Sequence, residues 1–130
     1  MGVDVQSIDE VESSLAQFGT RYTDRLFTAQ ELESCGENSA AAASGLAARF
    51  AAKEAVLKVL DAQETVPPWT AIEVCRSGSG NPKIVLHGDA ATLADRLGIT
   101  QIALSLSHGG GIATATVVAQ ATDSPPGGDE

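Results

Sequence analysis

The sequence predicts an α+β domain, an antiparallel sheet packed against one long helix and several shorter ones. Three observations lead there. An alanine-rich stretch free of Gly and Pro runs from residue 46 to residue 60. Alternating apolar segments at 72–75 and 83–87, and again at 101–107 and 112–119, are joined by glycine-containing turns, the pattern of hairpins. Two capping boxes, Ser7-Ile-Asp-Glu10 and Thr28-Ala-Gln-Glu31, open short helices.

The long stretch is the strongest helical signal, because alanine and straight-chain residues lose little on entering a helix. At roughly 100° per residue, Leu46, Phe50, Leu57 and Leu60 form one apolar stripe about 80° wide. Glu54 and Lys58 fall together on one flank, one turn apart, and Arg49 lies on the other. Lys53 projects near the middle of the apolar face. Two readings of it stand side by side: a lysine stem running along apolar surface, or a cation held there for a purpose.

In chain order, Gly2-Val3-Asp4-Val5 reads as the end of a short strand, with Asp4 between two β-branched residues. An acid there is costly unless hydrogen-bonded, solvated or bound to a cation. Ile8, Val11, Leu15 and Phe18 give a helical stripe that Gly19 ends. Asp9, Glu10 and Glu12 occupy its outer face, near the N-terminus where the helix dipole favours acids. The helix opened by Thr28 is expected to close at Gly36, and residues 37–43 form a polar-to-small lead-in to the long helix. Pro67-Pro68 breaks the chain before Trp69. Asp89 is read as the cap of a helix carrying Ala90, Leu93, Ala94 and Leu97, with Gly98 as its stop. Ile102, Leu104 and Leu106 share one strand face, and Gly109-Gly110-Gly111 turns the chain into the last strand. Residues 1–120 make one folded domain. Residues 121–130, rich in Pro, Gly and acids, are expected to be a disordered tail or linker.

Hydrophobic residues make up 43% and charged residues 19% of the 130, a globular balance that excludes wholesale disorder. No apolar run approaches the ~18 residues of a membrane span, so no membrane partner is expected. A net charge of −9 argues against a nucleic-acid surface. Cys35 and Cys75 lack zinc or disulfide spacing and read as small apolar residues in a reducing cytoplasm.

Asp4 and Glu54 are the two acids that best fit a metal site. One strand-end carboxylate plus one on a helix flank suits Mg²⁺, which keeps several waters and takes further oxygens from phosphates. Lys58 is placed to hold a phosphate oxygen or steady a leaving group. Ser107-His108-Gly109-Gly110-Gly111 raises a hydrolase reading through an oxyanion loop. The absence of any Gly-x-Ser-x-Gly and the short chain weigh against it. Gly78-x-Gly80 lacks the following helix of a nucleotide loop and reads as a hairpin turn.

Five blocks in register resemble the holo-acyl-carrier-protein synthase family, the small type of 4′-phosphopantetheinyl transferase. They are Gly2-Val3-Asp4, Phe27-Thr28-x-x-Glu31, Ala48-Arg49-Phe50-Ala51-Ala52-Lys53-Glu54-Ala55-x-x-Lys58, Gly80-Asn81-Pro82 and Leu104-Ser105-Leu106-Ser107-His108, spread over residues 2 to about 119. The resemblance implies transfer of the phosphopantetheine arm of coenzyme A to a carrier-protein serine, with release of adenosine 3′,5′-bisphosphate, in fatty acid or polyketide biosynthesis. By that likeness Asp4 and Glu54 bind Mg²⁺, and Glu54 helps deprotonate the serine. Lys58 binds phosphate and assists the leaving group, so Glu54 and Lys58 are the catalytic pair. Arg49, Lys53, Ser107 and His108 match coenzyme A contacts. Gly80, Asn81 and Pro82 match a turn that reaches the nucleotide from a neighbouring subunit of a homotrimer, whose active sites lie between subunits.

Two departures carry expectations of their own. Family chains usually begin several residues before Gly-x-Asp, whereas Met1 precedes Gly2 directly here. With the tail, this points to a domain of a larger synthase, a native short start being the alternative. The family's first helix also usually carries arginines toward the acidic carrier. Here the acids at 9, 10 and 12 stand in that stretch, with Arg21 and Arg25 the nearby cations, so docking uses another surface or relies on tethering. A non-catalytic trimerisation relative is the competing reading, and the intact Asp4, Glu54 and Lys58 set argues against it.

Overall fold

The computed structural model describes residues 1–35, 40–62 and 66–122. Strand β1 (Gly2–Ser7) leads into helices α1 (Ile8–Phe18), α2 (Thr20–Leu26) and α3 (Ala29–Cys35), and then the long helix α4 (Ala40–Leu60). A 3-10 turn at Trp69–Ala71 precedes strands β2 (Ile72–Arg76) and β3 (Pro82–Leu86). Helix α5 (Gly88–Arg96) and strands β4 (Ile99–Gly109) and β5 (Ile112–Ala121) follow. The fold is α+β as expected, with its strands in two antiparallel sheets: β1-β5-β4, and the separate hairpin β2-β3.

Local chemistry explains most of these boundaries. Ser7 accepts a hydrogen bond from the Glu10 amide and starts α1, and the Gly19 N–H closes it on the Leu15 carbonyl. The second capping box is reciprocal: the Thr28 amide donates to Glu31 Oε1 (2.9 Å) and the Glu31 amide to Thr28 Oγ1 (3.2 Å). Between the two boxes lies α2, which has neither a side-chain cap nor a clear apolar period, so the sequence did not announce it. Asp89 is not the cap of α5. His87 holds that position, and Asp89 sits in the first turn, where the helix dipole favours it. The Gly36 stop lies outside the described residues, as do most of the expected tail and part of the lead-in at 37–43; α4 is already helical at Ala40. β5 continues to Ala121, and Thr122 is tied to the Gly98 carbonyl. At the β4–β5 corner Gly110 and Gly111 both have positive φ, 61° and 82°, which a two-residue turn between right-twisted strands requires.

Helix α4 is the centre of the core, and far more of it is enclosed than the narrow leucine stripe implied. Ala47, Ala48, Ala51, Ala52, Ala55 and Val56 are buried together with Leu46 and Leu60, while Phe50 and Leu57 are only half-buried. Alanine methyls let neighbours come close on several sides at once. The inner face of β5, Ala113, Ala115 and Val117, is fully buried against it. β1 approaches closest. A Cβ on Gly2 would overlap the Ala55 carbonyl oxygen, so only glycine fits there. Gly2→Ala is therefore expected to lower stability in urea denaturation by about 1–3 kcal/mol. Gly78→Ala, where a Cβ meets nothing within 4 Å, should stay within about 0.5 kcal/mol of the parent.

Candidate active site

The close approach of β1 to α4 assembles the site. Residues alternate along β1, and with Gly2 turned toward α4 the side chains of Asp4 and Gln6 share its side of the sheet. Asp4 Oδ1 lies 3.3 Å from Lys58 Nζ, and its Oδ2 accepts from Gln6 Nε2 at 2.8 Å. Lys58 also donates to the Val3 carbonyl at 2.7 Å. Glu54, one helical turn before Lys58, is half-buried. Burial pushes its carboxyl up from the ordinary carboxylate range. The negative charge of Asp4 pushes it further, and Lys58 pulls it partly back.

Two carboxylates that repel one another, with a single exposed ammonium beside them, form a place where a cation lowers the energy. The donor set fits Mg²⁺: two carboxylates, with room for water and substrate oxygens. Among the described residues no group of three or more His, Cys, Asp or Glu side chains forms a metal cage. Gln6 was not anticipated. Its signal in the sequence was its place two residues beyond Asp4 on the same strand face.

Other expected site residues stand apart within one chain. Gly80, Asn81 and Pro82 form the tip of the β2–β3 hairpin. Its hydrogen bonds close on themselves: Gly80 amide to Ser77 carbonyl, Ser77 amide to Asn81 carbonyl, and Arg76 Nη1 to Gly80 carbonyl. His108 is exposed at the end of β4, in register with Ala113 and, across it, Gln6. That places it about two strand spacings, near 10 Å, from the Asp4 strand. Ser107, its neighbour, points to the opposite face. Arg49 is buried, with Nη1 on the Gly45 carbonyl at 3.3 Å and Nε without a hydrogen-bond partner.

Lys53 needs a correction. Expected among the coenzyme A contacts, it is fully buried and points inward. Its ammonium donates to Glu31 Oε1 at 2.8 Å, to the Trp69 carbonyl at 3.0 Å and to the Ile72 carbonyl, and it lies 5.6 Å from the centre of the Phe27 ring. Burial pulls its pKa down, and the Glu31 carboxylate pushes it back. All three N–H donors are used, so none remains for a phosphate. Glu31, itself buried, also accepts from the Thr28 and Val74 amides. Thr28 Oγ1 donates to Glu73 Oε2 at 2.6 Å, and Glu73 Oε1 meets His87 Nε2 at 3.0 Å. The Thr28 hydrogen bond is the main reason the Glu73 carboxyl is held below its ordinary range.

Most of the chain compares closely with known proteins. Residues 1–117 match the family model of the 4′-phosphopantetheinyl transferase superfamily. A holo-[acyl-carrier-protein] synthase of Dehalococcoides mccartyi is 40% identical over 119 residues, covering 92% of this chain and 96% of that protein. The structure of a holo-ACP-synthase from Plasmodium yoelii superposes with a TM-score of 0.80 at 27% identity, covering 94% of each chain. The ACPS–CoA complex from Chronobacterium ammoniagenes does so with a TM-score of 0.78 at 30% identity, over 93% of this chain and 96% of that one. The fold, the grouping of Asp4, Glu54 and Lys58, and these likenesses over nearly the full length agree: the chain belongs to the holo-[acyl-carrier-protein] synthases of the 4′-phosphopantetheinyl transferase superfamily.

Proposed function

We propose that the chain transfers the 4′-phosphopantetheine arm of coenzyme A to a serine of an apo carrier protein and releases adenosine 3′,5′-bisphosphate. The observation that carries this reading is the meeting of Asp4, Glu54 and Lys58 at the β1–α4 contact. Asp4 and Glu54 would hold Mg²⁺, which when bound neutralises charge on the pyrophosphate oxygens. Glu54, its carboxyl raised by burial, accepts the serine proton directly or through a water. The serine oxygen forms its bond to the phosphorus bearing the pantetheine arm. The bond from that phosphorus to the bridging oxygen breaks, and the electron pair leaves with the adenosine bisphosphate. Lys58, whose ammonium is exposed beside Asp4, meets the charge that develops there. Phosphoryl transfer asks for little more than positioning and charge neutralisation. A reducing cytoplasm, where coenzyme A and carrier proteins meet, suits this reading, and both cysteines are free thiols. No helix among the described residues is long and apolar enough to cross a membrane.

Mass spectrometry of an apo carrier incubated with coenzyme A and Mg²⁺ tests the reaction. Asp4→Asn and Glu54→Gln are each expected to lower the rate by about 100-fold or more while the far-UV spectrum is unchanged. The double variant should be little worse than either, since both residues serve one unit. Near-normal turnover in either single variant would remove the site assignment, and a parent protein that transfers nothing to any carrier would favour a non-catalytic trimerisation role.

The scattered residues, His108 and the hairpin tip, favour a site completed by a second copy. Leu104 and Leu106 pack into the core, so the other face of the sheet is free. That face carries Val3, Val5, Ser105, Thr114, Thr116 and Val118, all uncharged, and its three valines are about half exposed. Such a face asks for cover. Light scattering should report a homotrimer, three times 13.3 kDa. A stable, fully active monomer would overturn the shared site.

Carrier choice is expected to follow the charge of α1. Asp9, Glu10 and Glu12 are exposed on it, and like charges across an interface slow encounter, most at low salt. The rate on an acidic carrier should rise with moderate salt and with the double change Asp9→Lys, Glu10→Arg. A carrier with a more basic docking face, or one tethered to this domain, should be modified faster. If the rate on the acidic carrier is high and falls with salt, docking uses the groove of about 380 Å³ that holds Arg21 and Arg25 between α1 and α2.

A further inference from the structure

We propose that the buried Lys53–Glu31 pair is a positioning device. It fixes the rotation of α4 about its own axis and so presents Glu54 and Lys58 to Asp4. The catalytic part of this inference rests on the transfer reading above; the structural part does not.

Apart from the Gly2 approach at Ala55 and the exposed Lys58 contacts, helix α4 has little else to set its rotation. At 100° per residue, Ala47, Ala48, Ala51, Ala52 and Ala55 cover an arc of about 140°. Leu46, Phe50, Val56, Leu57 and Leu60 fill much of the remainder. A helix that is apolar nearly all round has no stripe that must face inward, and rows of methyl groups make shallow ridges. Turning it by a fraction of a residue exchanges one alanine contact for another.

Lys53 removes that freedom. Its three donors meet acceptors from two directions: the Glu31 carboxylate on α3, and the Trp69 and Ile72 carbonyls at the start of β2. Glu31 is anchored in turn by the Thr28 and Val74 amides. A rotation of α4 would break charge-assisted hydrogen bonds and strand a charge in the core, which is far costlier than sliding alanines. Glu54 is the next residue. Its carboxylate stands roughly 6 Å from the helix axis, so a 20° rotation moves it by about 2 Å. Misplacement of about 1 Å is enough to cost a reaction 100-fold. Lys53 thus acts through Glu54 and Lys58 without touching substrate, and Glu31 acts through Lys53.

The test uses the full chain carrying Lys53→Met with Glu31→Gln, which removes both charges and nearly conserves volume. Three readouts are compared with the parent. The expected results are a kcat lowered about 30- to 100-fold with KM for coenzyme A changed less than about threefold; Mn²⁺ bound, by electron paramagnetic resonance with the metal alone, about tenfold more weakly; and a crystal structure in which α4 is turned and Lys58 has left the 3.3 Å contact with Asp4. Unfolding temperature should fall, because the Trp69 and Ile72 carbonyls lose their donor and a glutamine amide at position 31 can accept from only one of the Thr28 and Val74 N–H groups. An unmoved helix with unchanged Mn²⁺ affinity would overturn the proposal whatever the rate does. If the double variant does not fold, Lys53→Gln, which keeps donors for the two carbonyls and loses the charge, is judged by the same outcomes. A parent protein that binds Mn²⁺ but transfers nothing would remove the functional reading alone.

Discussion

A single buried ion pair ties the two halves of this chain together. Lys53 on the central helix meets Glu31 at the start of α3, and Glu31 in turn holds the Thr28 amide just before its own helix and the Val74 amide of β2. Neither charge reaches solvent. Burying both is expensive, and the attraction between them repays the cost only because the remaining lone pairs and protons also have partners. An apolar pair of similar shape would avoid the two buried charges but would leave the Thr28 and Val74 amides and the Trp69 and Ile72 carbonyls without these partners. The lysine and glutamate also add direction. Much of the surface of α4 that faces the core is alanine, which fixes direction weakly, and this pair fixes it by hydrogen bonds.

Much of the architecture was legible in the sequence because it rests on local chemistry. The two capping boxes, the glycine corners and the alternating strands each carry their cause within a few residues. So did the core of the site: Asp4 by its place in a strand, Glu54 and Lys58 by their spacing on one helix flank. The failures have one character. Helix α2 has no apolar period and no side-chain cap, and only its neighbours hold it in place. The N-cap of α5 moved from Asp89 to His87 because the returning strand ends at Leu86. Lys53 matched a binding position by resemblance, and its place on the helix shows only that a cation faces the core. It does not show that an acid 22 residues earlier waits there. Partnership over such distances is a property of tertiary structure, and one sequence does not carry it.

The site itself is sparse, as a site for phosphate chemistry tends to be. It offers two carboxylates, one ammonium and an amide, Gln6, that orients one of the acids. Most of the positive charge that a polyanionic substrate needs is not beside them. Of the eight cationic residues in the chain, Lys53 is consumed internally and Arg49 is buried on another side of the helix. Arg76 and Lys83 stand at the far hairpin. The distribution suits the assembly proposed above, in which each chain would supply the reacting groups of one site and part of the cradle of another.

The ammonium of Lys58 also has a bearing on solubility. β1 borders the three-stranded sheet, and among the described residues its strand partner is β5 alone. A border strand with unclaimed main-chain groups invites another chain to pair with it, the first step toward aggregation. Here the Val3 carbonyl is claimed by Lys58, and α4 lies close along the same strand. The side chain that balances charge in the site therefore also guards the margin of the sheet. Loss of activity on changing residue 58 has to be separated from loss of soluble protein, because one amino group serves both.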